Sequence, residues 1–94
     1  MNVLYKSAFR KFVKKQTRFF QLVIEDETER ILKDPEMGEA KKGDLAGYRV
    51  HKFLFHKQKY LIAYKVLKSD LIFYIIDTHE NFYCELKRYI REVE

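Results

Sequence analysis

The residues best suited to chemistry lie in the stretch IIDTHENFYCELKRY, residues 75–89, where an apolar strand-like run meets a helix-like run. His79 and Tyr83 are four residues apart, so on a helix their side chains lie on one side. Histidine gains and loses a proton near neutral pH, which suits it to proton transfer. The simpler interpretation is that His79 is an exposed polar residue and that the ring of Tyr83 packs against a sheet.

A second set of candidates lies in the run YRVHKFLF, residues 48–55. In a strand, Arg49 and His51 point to the same face because side chains alternate from one residue to the next. Arginine can bind a phosphate through two parallel hydrogen bonds. Lys52 would join the pair if the strand were bulged. The alternative is that Arg49 and His51 occupy the solvent face of a half-buried sheet.

The sequence gives no reason to expect a metal ion or a cofactor. His51, His56, His79 and Cys84 do not have the close spacing of metal ligands, and a lone cysteine in an amphipathic helix usually packs as an inert thiol. The three glycines fall in one connection, residues 38–47, and do not form a phosphate-binding loop.

The first part of the chain predicts a short strand and a helical hairpin. The run NVLY, residues 2–5, is strand-like, and apolar residues recur at helical spacing from Ser7. Thr17 is a suitable N-cap for a second helix that extends to about Lys33. Pro35 makes further helix unfavourable, and the segment 35–47 is expected to be one connecting loop.

The second part predicts an antiparallel sheet followed by a helix. Strands are expected at 48–55, 60–67 and 71–77, joined by connections too short for anything but antiparallel neighbours. A last helix from Glu80 to about Glu92, with Thr78 as its N-cap, carries one broad apolar face that should pack on the sheet. The predicted fold is α+β, in the order β-α-α-β-β-β-α, as one domain over residues 1–94.

Composition is consistent with a small globular domain. The chain has 94 residues, of which 47% are apolar and 16% aromatic, so we expect one hydrophobic core rather than disorder. It contains one cysteine, no apolar run of the roughly 20 residues that span a membrane, and no signal-peptide pattern at its start. We therefore expect a cytoplasmic protein without a membrane partner.

The net charge of +5 is concentrated in two basic blocks. Residues 1–18 carry six basic and no acidic residues, and residues 37–65 carry seven basic and two acidic ones. Such blocks suit a polyanion or an acidic protein as partner, although a solvated surface would show the same pattern. The first block includes a predicted basic helix face, formed by Lys11, Lys14, Lys15 and Arg18.

These features together resemble the RelE/ParE superfamily of bacterial type II toxins. The resemblance extends from about Tyr5 to Ile90, and its most specific pieces are GDLAGYRVHKF and THENFYCELKRY. The ending HENFY is most similar to the RelE/HigB-like branch. The resemblance implies a toxin that is encoded beside a cognate antitoxin. RelE-like members cleave mRNA on the ribosome, ParE-like members poison DNA gyrase, and an inactive member would retain only antitoxin binding.

The RelE-like alternative implies a role for each candidate residue in metal-independent RNA cleavage. The 2′-hydroxyl must lose a proton, the 5′-oxygen must gain one, and positive charge must surround the phosphorane. His79 and Tyr83 would transfer protons, and Arg49 and His51 would meet the phosphate. Asn81 would either orient the nucleotide or simply satisfy the first turn of the helix. The basic residues expected to bind RNA would contact phosphates of ribosomal RNA and mRNA. They are Lys11, Lys14, Lys15, Arg18, Lys41, Lys42 and Lys52.

One position departs from the pattern of the RelE-like nucleases. Those proteins commonly carry an arginine in the middle strand, in a YRLVY-like setting, whereas this chain has YLIAY with Leu61 at that place. Three explanations are open: Arg49, Lys52 and Lys65 supply the missing charge, cleavage depends on His79 and Tyr83 alone, or the chain is not a nuclease.

Overall fold

The computed structural model describes residues 1–93, so the last residue of the expected domain, Glu94, lies outside the described part. Five strands form one sheet in the order β1-β5-β4-β3-β2. The predicted α+β fold is confirmed. The elements are β1 (Asn2–Tyr5), α1 (Ser7–Lys14), α2 (Arg18–Lys33), β2 (Glu39–Ala40), β3 (Arg49–Phe55), β4 (Gln58–Leu67), β5 (Asp70–Thr78) and α3 (His79–Val93).

The helical hairpin begins and ends close to where the sequence predicts. Thr17 has extended backbone angles, and its side-chain oxygen accepts a hydrogen bond from the backbone N–H of Phe20 at 3.2 Å. This cap satisfies one of the free N–H groups at the start of α2. At the end of α2, just before Pro35, the backbone N–H of Asp34 donates a hydrogen bond to the carbonyl oxygen of Arg30.

The sheet differs from the prediction in two ways. β3, β4 and β5 form the expected antiparallel meander, but β1 pairs with β5 in parallel. No tight turn joins β1 to β5, since both helices and the other strands lie between them in sequence, and so their direction is not restricted to antiparallel. The expected loop 35–47 also contains β2, which pairs with β3, and a short 3-10 turn at Gly43–Leu45.

Helices cover the sheet on both sides, and the two sides have separate apolar clusters. α1 and α2 cover one side, called here the hairpin face, where Phe9, Phe20, Ile24 and Ile31 pack against strand residues such as Phe73. α3 covers the other side, called the α3 face. Its buried cluster consists of Leu45, Tyr48, Val50, Leu61, Ala63, Ile72, Tyr74, Ile75, Phe82 and Leu86.

The two faces divide β3 residue by residue. Val50 belongs to the apolar cluster of the α3 face and Phe53 to the apolar cluster of the hairpin face. β3 pairs with β4 without a register shift from Arg49 to Phe55. Side-chain alternation therefore assigns Arg49 and His51 to the hairpin face and Lys52 to the α3 face.

Candidate functional site

A charged cluster lies on the α3 face, beside the first turns of α3. It consists of Glu39, Lys41, Lys52 and Tyr83, and we call it the α3-face cluster. The ammonium group of Lys41 lies 5.3 Å from the ring centroid of Tyr83. Glu39 pairs with Val50 across the β2–β3 ladder, so Lys52, two residues further along β3, points to the same face. Three separate segments of the chain therefore converge here.

Electrostatics within this cluster favour a permanent cation at Lys41. The carboxylate of Glu39 lies 2.6 Å from Lys41 Nζ. That contact, with a further hydrogen bond that Lys41 donates to the Tyr83 hydroxyl, raises the pKa of Lys41, and the same lysine lowers the pKa of Glu39, helped by the charge of Lys52. Lys41 is thus charged throughout the neutral range. It can stabilise an anion but cannot act as a general base.

The cluster has an apolar floor at Leu61, the position at which the resemblance to RelE-like nucleases led us to expect an arginine. Leu61 is completely buried and lies directly between Lys52 on β3 and Asp77 on β5 in the sheet register. Residues directly opposite each other on neighbouring strands share a face of the sheet. Lys52 is therefore the cation that stands beside the position of the missing arginine.

His79 and Asn81 occupy the exposed first turn of α3. The helix begins at His79, immediately after β5 ends at Thr78, one residue earlier than the sequence predicts. Because strand and helix are joined without a loop, the position of His79 is set by the end of β5. Tyr83 follows one turn later, half-buried against the α3-face apolar cluster and at the helical spacing that puts it on the same side as His79.

The other two residues expected at a catalytic site lie on the hairpin face, where both have internal partners. His51 is 7% exposed, and its Nε2 lies 2.7 Å from Glu27 Oε1 of α2. Arg49 donates hydrogen bonds from Nη1 to the backbone oxygens of Gly38 at 2.7 Å and Glu36 at 3.1 Å. The structure does not bring Arg49 and His51 together with His79 and Tyr83.

Arg49 forms part of a polar anchor that fixes the segment after α2. Tyr64 is completely buried; its hydroxyl donates to the Pro35 carbonyl at 2.7 Å and accepts from the Gly38 N–H at 2.9 Å. Burial raises the pKa of Tyr64, so the phenol is neutral under physiological conditions. A Cβ atom at Gly38 would lie 2.5 Å from that hydroxyl oxygen, so a residue with a side chain would clash there and glycine is required. The anchor positions β2, and with it Glu39 and Lys41.

The remaining predicted RNA-binding residues are dispersed along the surface. Lys14 and Arg18, together with Arg10, line a groove of about 350 Å³ between α1 and α2. Lys11, Lys15 and Lys42 are exposed. Sequence reasoning missed Glu39, although its position two residues before Lys41 would place both side chains on one face of a strand.

Two findings concern metals and membranes. Within residues 1–93, no group of three or more His, Cys, Asp or Glu side chains is arranged to hold a metal ion. No helix in this described part has both the length and the apolar character needed to cross a bilayer.

Comparison with known proteins identifies the family of this chain. A family model described as the ParE-like toxin of type II bacterial toxin-antitoxin systems matches residues 3–87. The chain therefore belongs to this family of toxins. Toxins of type II toxin-antitoxin systems bind a cognate antitoxin.

One solved structure was found to be similar, and no curated protein gave a match. The structure is the solution structure of the conserved hypothetical protein HP0894 from Helicobacter pylori. It has 20% sequence identity and a TM-score of 0.48, and the alignment covers 85% of this chain and 96% of that one.

Proposed function

We propose that this toxin is a metal-independent endoribonuclease that cleaves mRNA on the ribosome in the cytoplasm, with its active site at the α3-face cluster and the adjoining first turn of α3. The observation that supports this most is the position of Lys41 between Tyr83, on the helix that begins at His79, and Glu39, whose carboxylate also feels the charge of Lys52. Proton-transfer groups and fixed cations are the two components that such cleavage needs.

The proposed reaction assigns separate tasks to these groups. The 2′-oxygen attacks the neighbouring phosphorus while the bond to the 5′-oxygen breaks. His79 and Tyr83 carry out the two proton transfers: one accepts the proton of the 2′-hydroxyl, and the other supplies a proton to the departing 5′-oxygen. Lys41 and Lys52 stabilise the additional negative charge of the phosphorane. The products are a 2′,3′-cyclic phosphate and a 5′-hydroxyl end.

Lys52 takes the place of the arginine that Leu61 cannot supply. Leu61 is apolar and buried, so it cannot contribute positive charge, but the neighbouring strand presents Lys52 directly opposite it. Arg49 is less suited to this task, because its guanidinium group is hydrogen-bonded to two loop carbonyls on the hairpin face. Asn81, exposed in the first turn of α3, is proposed to orient the nucleotide.

Inhibition of DNA gyrase by binding alone is the second candidate. The observation that favours it is the apolar floor at Leu61, since a toxin that acts only by binding needs no phosphate-neutralising arginine. Gyrase inhibition and mRNA cleavage leave different products in the cell, namely trapped DNA cleavage complexes and shortened messages.

The first experiment is primer extension on a reporter mRNA after brief induction of the toxin in growing bacteria. We expect new 5′ ends within translated codons for the unaltered protein, and their loss in His79→Ala, Tyr83→Phe and Lys52→Ala. Lys68→Ala is the matched control. It replaces an exposed lysine in the β4–β5 turn, about 25 Å along β5 from the start of α3.

Each outcome selects between the candidates. Ends that disappear in the three variants but persist in Lys68→Ala support the nuclease and this site. Intact messages together with growth arrest and trapped DNA cleavage complexes would favour gyrase inhibition. Cleavage that persists in all three variants would overturn the assignment of the site.

A further inference from the structure

A stack of aromatic rings extends from the core to the surface at the tip of the β3–β4 hairpin. Phe20, in the core, stacks on Phe55 with a centroid distance of 4.2 Å and an interplanar angle of 10°. Phe55 stacks in turn on His56 at 4.1 Å and 14°. His56 is exposed and is the outermost of these three rings. A fourth planar ring would extend the stack into solvent.

Phe19 lies beside this stack and is unusually exposed for a phenylalanine. Its side chain is 62% exposed, although its ring lies 5.7 Å from Phe55 and 6.3 Å from His56. An exposed aromatic ring that flanks an exposed stack provides two surfaces for one planar ligand. We call the surface formed by Phe19, Phe55 and His56 the ring platform.

The backbone at the tip of the β3–β4 hairpin has a left-handed conformation, which asparagine and glycine adopt more easily than histidine and lysine. His56 and Lys57 form the two-residue connection between β3 and β4, and both have positive φ angles, 49° and 67°. Asparagine followed by glycine is the preferred pair for such a turn. The chain instead has a histidine ring and a lysine there, at some cost in backbone strain. Strain of this kind is concentrated at functional surfaces.

The charge around the ring platform is uniformly positive in the two segments that form it. Residues 15–24 and 52–59 contain five lysines and arginines and no acidic residue. Arg18 directly precedes Phe19, and Lys57 directly follows His56. Exposed aromatic rings combined with basic residues form the usual surface for single-stranded nucleic acid, in which bases stack on rings and cations contact phosphates.

The ring platform lies at the same end of the sheet as the start of α3. In the register of the sheet, Tyr60 of β4, three residues after Lys57 of the hairpin tip, pairs with Thr78, which directly precedes His79. Lys52 and Phe55 are three residues apart on β3, about 10 Å along the strand, with their side chains on opposite faces. An RNA strand that reaches both must therefore pass around this end of the sheet.

We propose that the ring platform binds an unpaired base of RNA, which stacks on the outer surface of His56 with its edge against Phe19. This inference rests on the proposed function, because RNA is the assumed ligand, and it adds a second contact outside the α3-face cluster. The base is recognised by its flat surface, so the contact does not depend on sequence.

The test is direct binding of a fluorescent, 2′-O-methylated single-stranded RNA of ten nucleotides, which cannot be cleaved through its 2′-oxygen. We expect Phe19→Ala and His56→Asn each to weaken binding about tenfold. Asparagine tolerates positive φ, so His56→Asn removes the ring without adding strain. Phe19→Trp keeps a ring and should retain affinity, whereas Phe19→Leu keeps an apolar side chain and should weaken binding as Phe19→Ala does.

Two further ligands separate stacking from attraction by charge alone. An oligonucleotide of the same length with abasic positions should bind the unaltered toxin about as weakly as Phe19→Ala binds the complete RNA. Double-stranded RNA, which offers no free base surface, should bind the unaltered protein and both variants equally. Equal affinity of all variants for the complete single strand would overturn the proposal and leave protein contact as the use of this surface.

The binding result is independent of the cleavage result. Loss of affinity in Phe19→Ala without any mRNA cleavage in cells would support the ring platform and reject the nuclease. Cleavage with no contribution of Phe19 and His56 to RNA affinity would do the reverse.

Discussion

The two faces of the sheet use the same types of residue for different purposes. On the hairpin face, Arg49 and His51 are bound to backbone carbonyls and to Glu27. On the α3 face, Lys41 is side by side with Tyr83, and Lys52 is exposed above the buried Leu61. Along β3, therefore, Arg49 and His51 are held by the loop before β2 and by α2, whereas Lys52 on the opposite face is exposed and can meet a ligand.

The largest expected effect is the difference between two single substitutions in β3, at Lys52 and at its neighbour His51. Lys52→Ala should lower mRNA cleavage about a hundredfold, since fixed positive charge at a developing anion contributes about 10²–10³ in rate. His51→Gln, one residue earlier but on the opposite face, should leave cleavage per folded molecule unchanged. Ribosome-dependent cleavage measured with both purified variants checks this. Equal losses would remove the distinction between the faces.

The second effect is on stability and concerns the pair of His51 and Glu27. Both side chains are largely buried, so removing either partner leaves the other without its hydrogen bond, at a cost of about 1–3 kcal/mol. Denaturant unfolding of His51→Ala, Glu27→Ala and the double variant would give the coupling energy. Additive losses would mean that the pair contributes nothing beyond its separate side chains.

The polar anchor around Tyr64 should show a similar or slightly smaller effect. Tyr64→Phe removes the hydrogen bonds to Pro35 and Gly38 and should cost about 1–2 kcal/mol. Because the anchor positions β2, the same change should also reduce cleavage through Lys41, after correction for the folded fraction. A stability loss with unchanged cleavage would show that β2 keeps its place without the anchor.

The smallest expected effect is that of Glu39→Gln. Glu39 is exposed, and its pKa is lowered by Lys41, so its ion pair adds stability above the unfolded carboxyl pKa and loses it as the pH falls through the lowered folded value. Exposed pairs contribute little, so melting at neutral pH should hardly change. Cleavage should rise modestly, because Lys41 is freed for the phosphate. A fall in cleavage would instead make Glu39 part of the machinery.

Local sequence patterns were sufficient for most of the elements. Thr17 caps α2 as predicted, because an N-cap depends on a few neighbouring residues. The meander followed from short connections, which restrict strand direction. The parallel pairing of β1 with β5 and the presence of β2 could not be predicted in this way, since both depend on strands that are distant in sequence.

For the candidate site, too, local sequence rules predicted some features and could not predict others. Alternation along β3 already implied that Arg49 and His51 share a face, and helical spacing implied that His79 and Tyr83 share a side. Neither rule states which face α3 will cover, where Glu39 and Lys41 will lie, or that Phe20, Phe55 and His56 will form one stack.

The sequence by itself therefore determined most of the elements, the toxin family and the residues capable of chemistry, because these depend on residue type and on spacing within a few turns. Only the tertiary structure decided which of those residues meet: it separated His51 from Tyr83 and joined Lys41 to it. The physical reason is that such meetings depend on how helices cover the two faces of the sheet, which is set by the packing of side chains far apart in the chain.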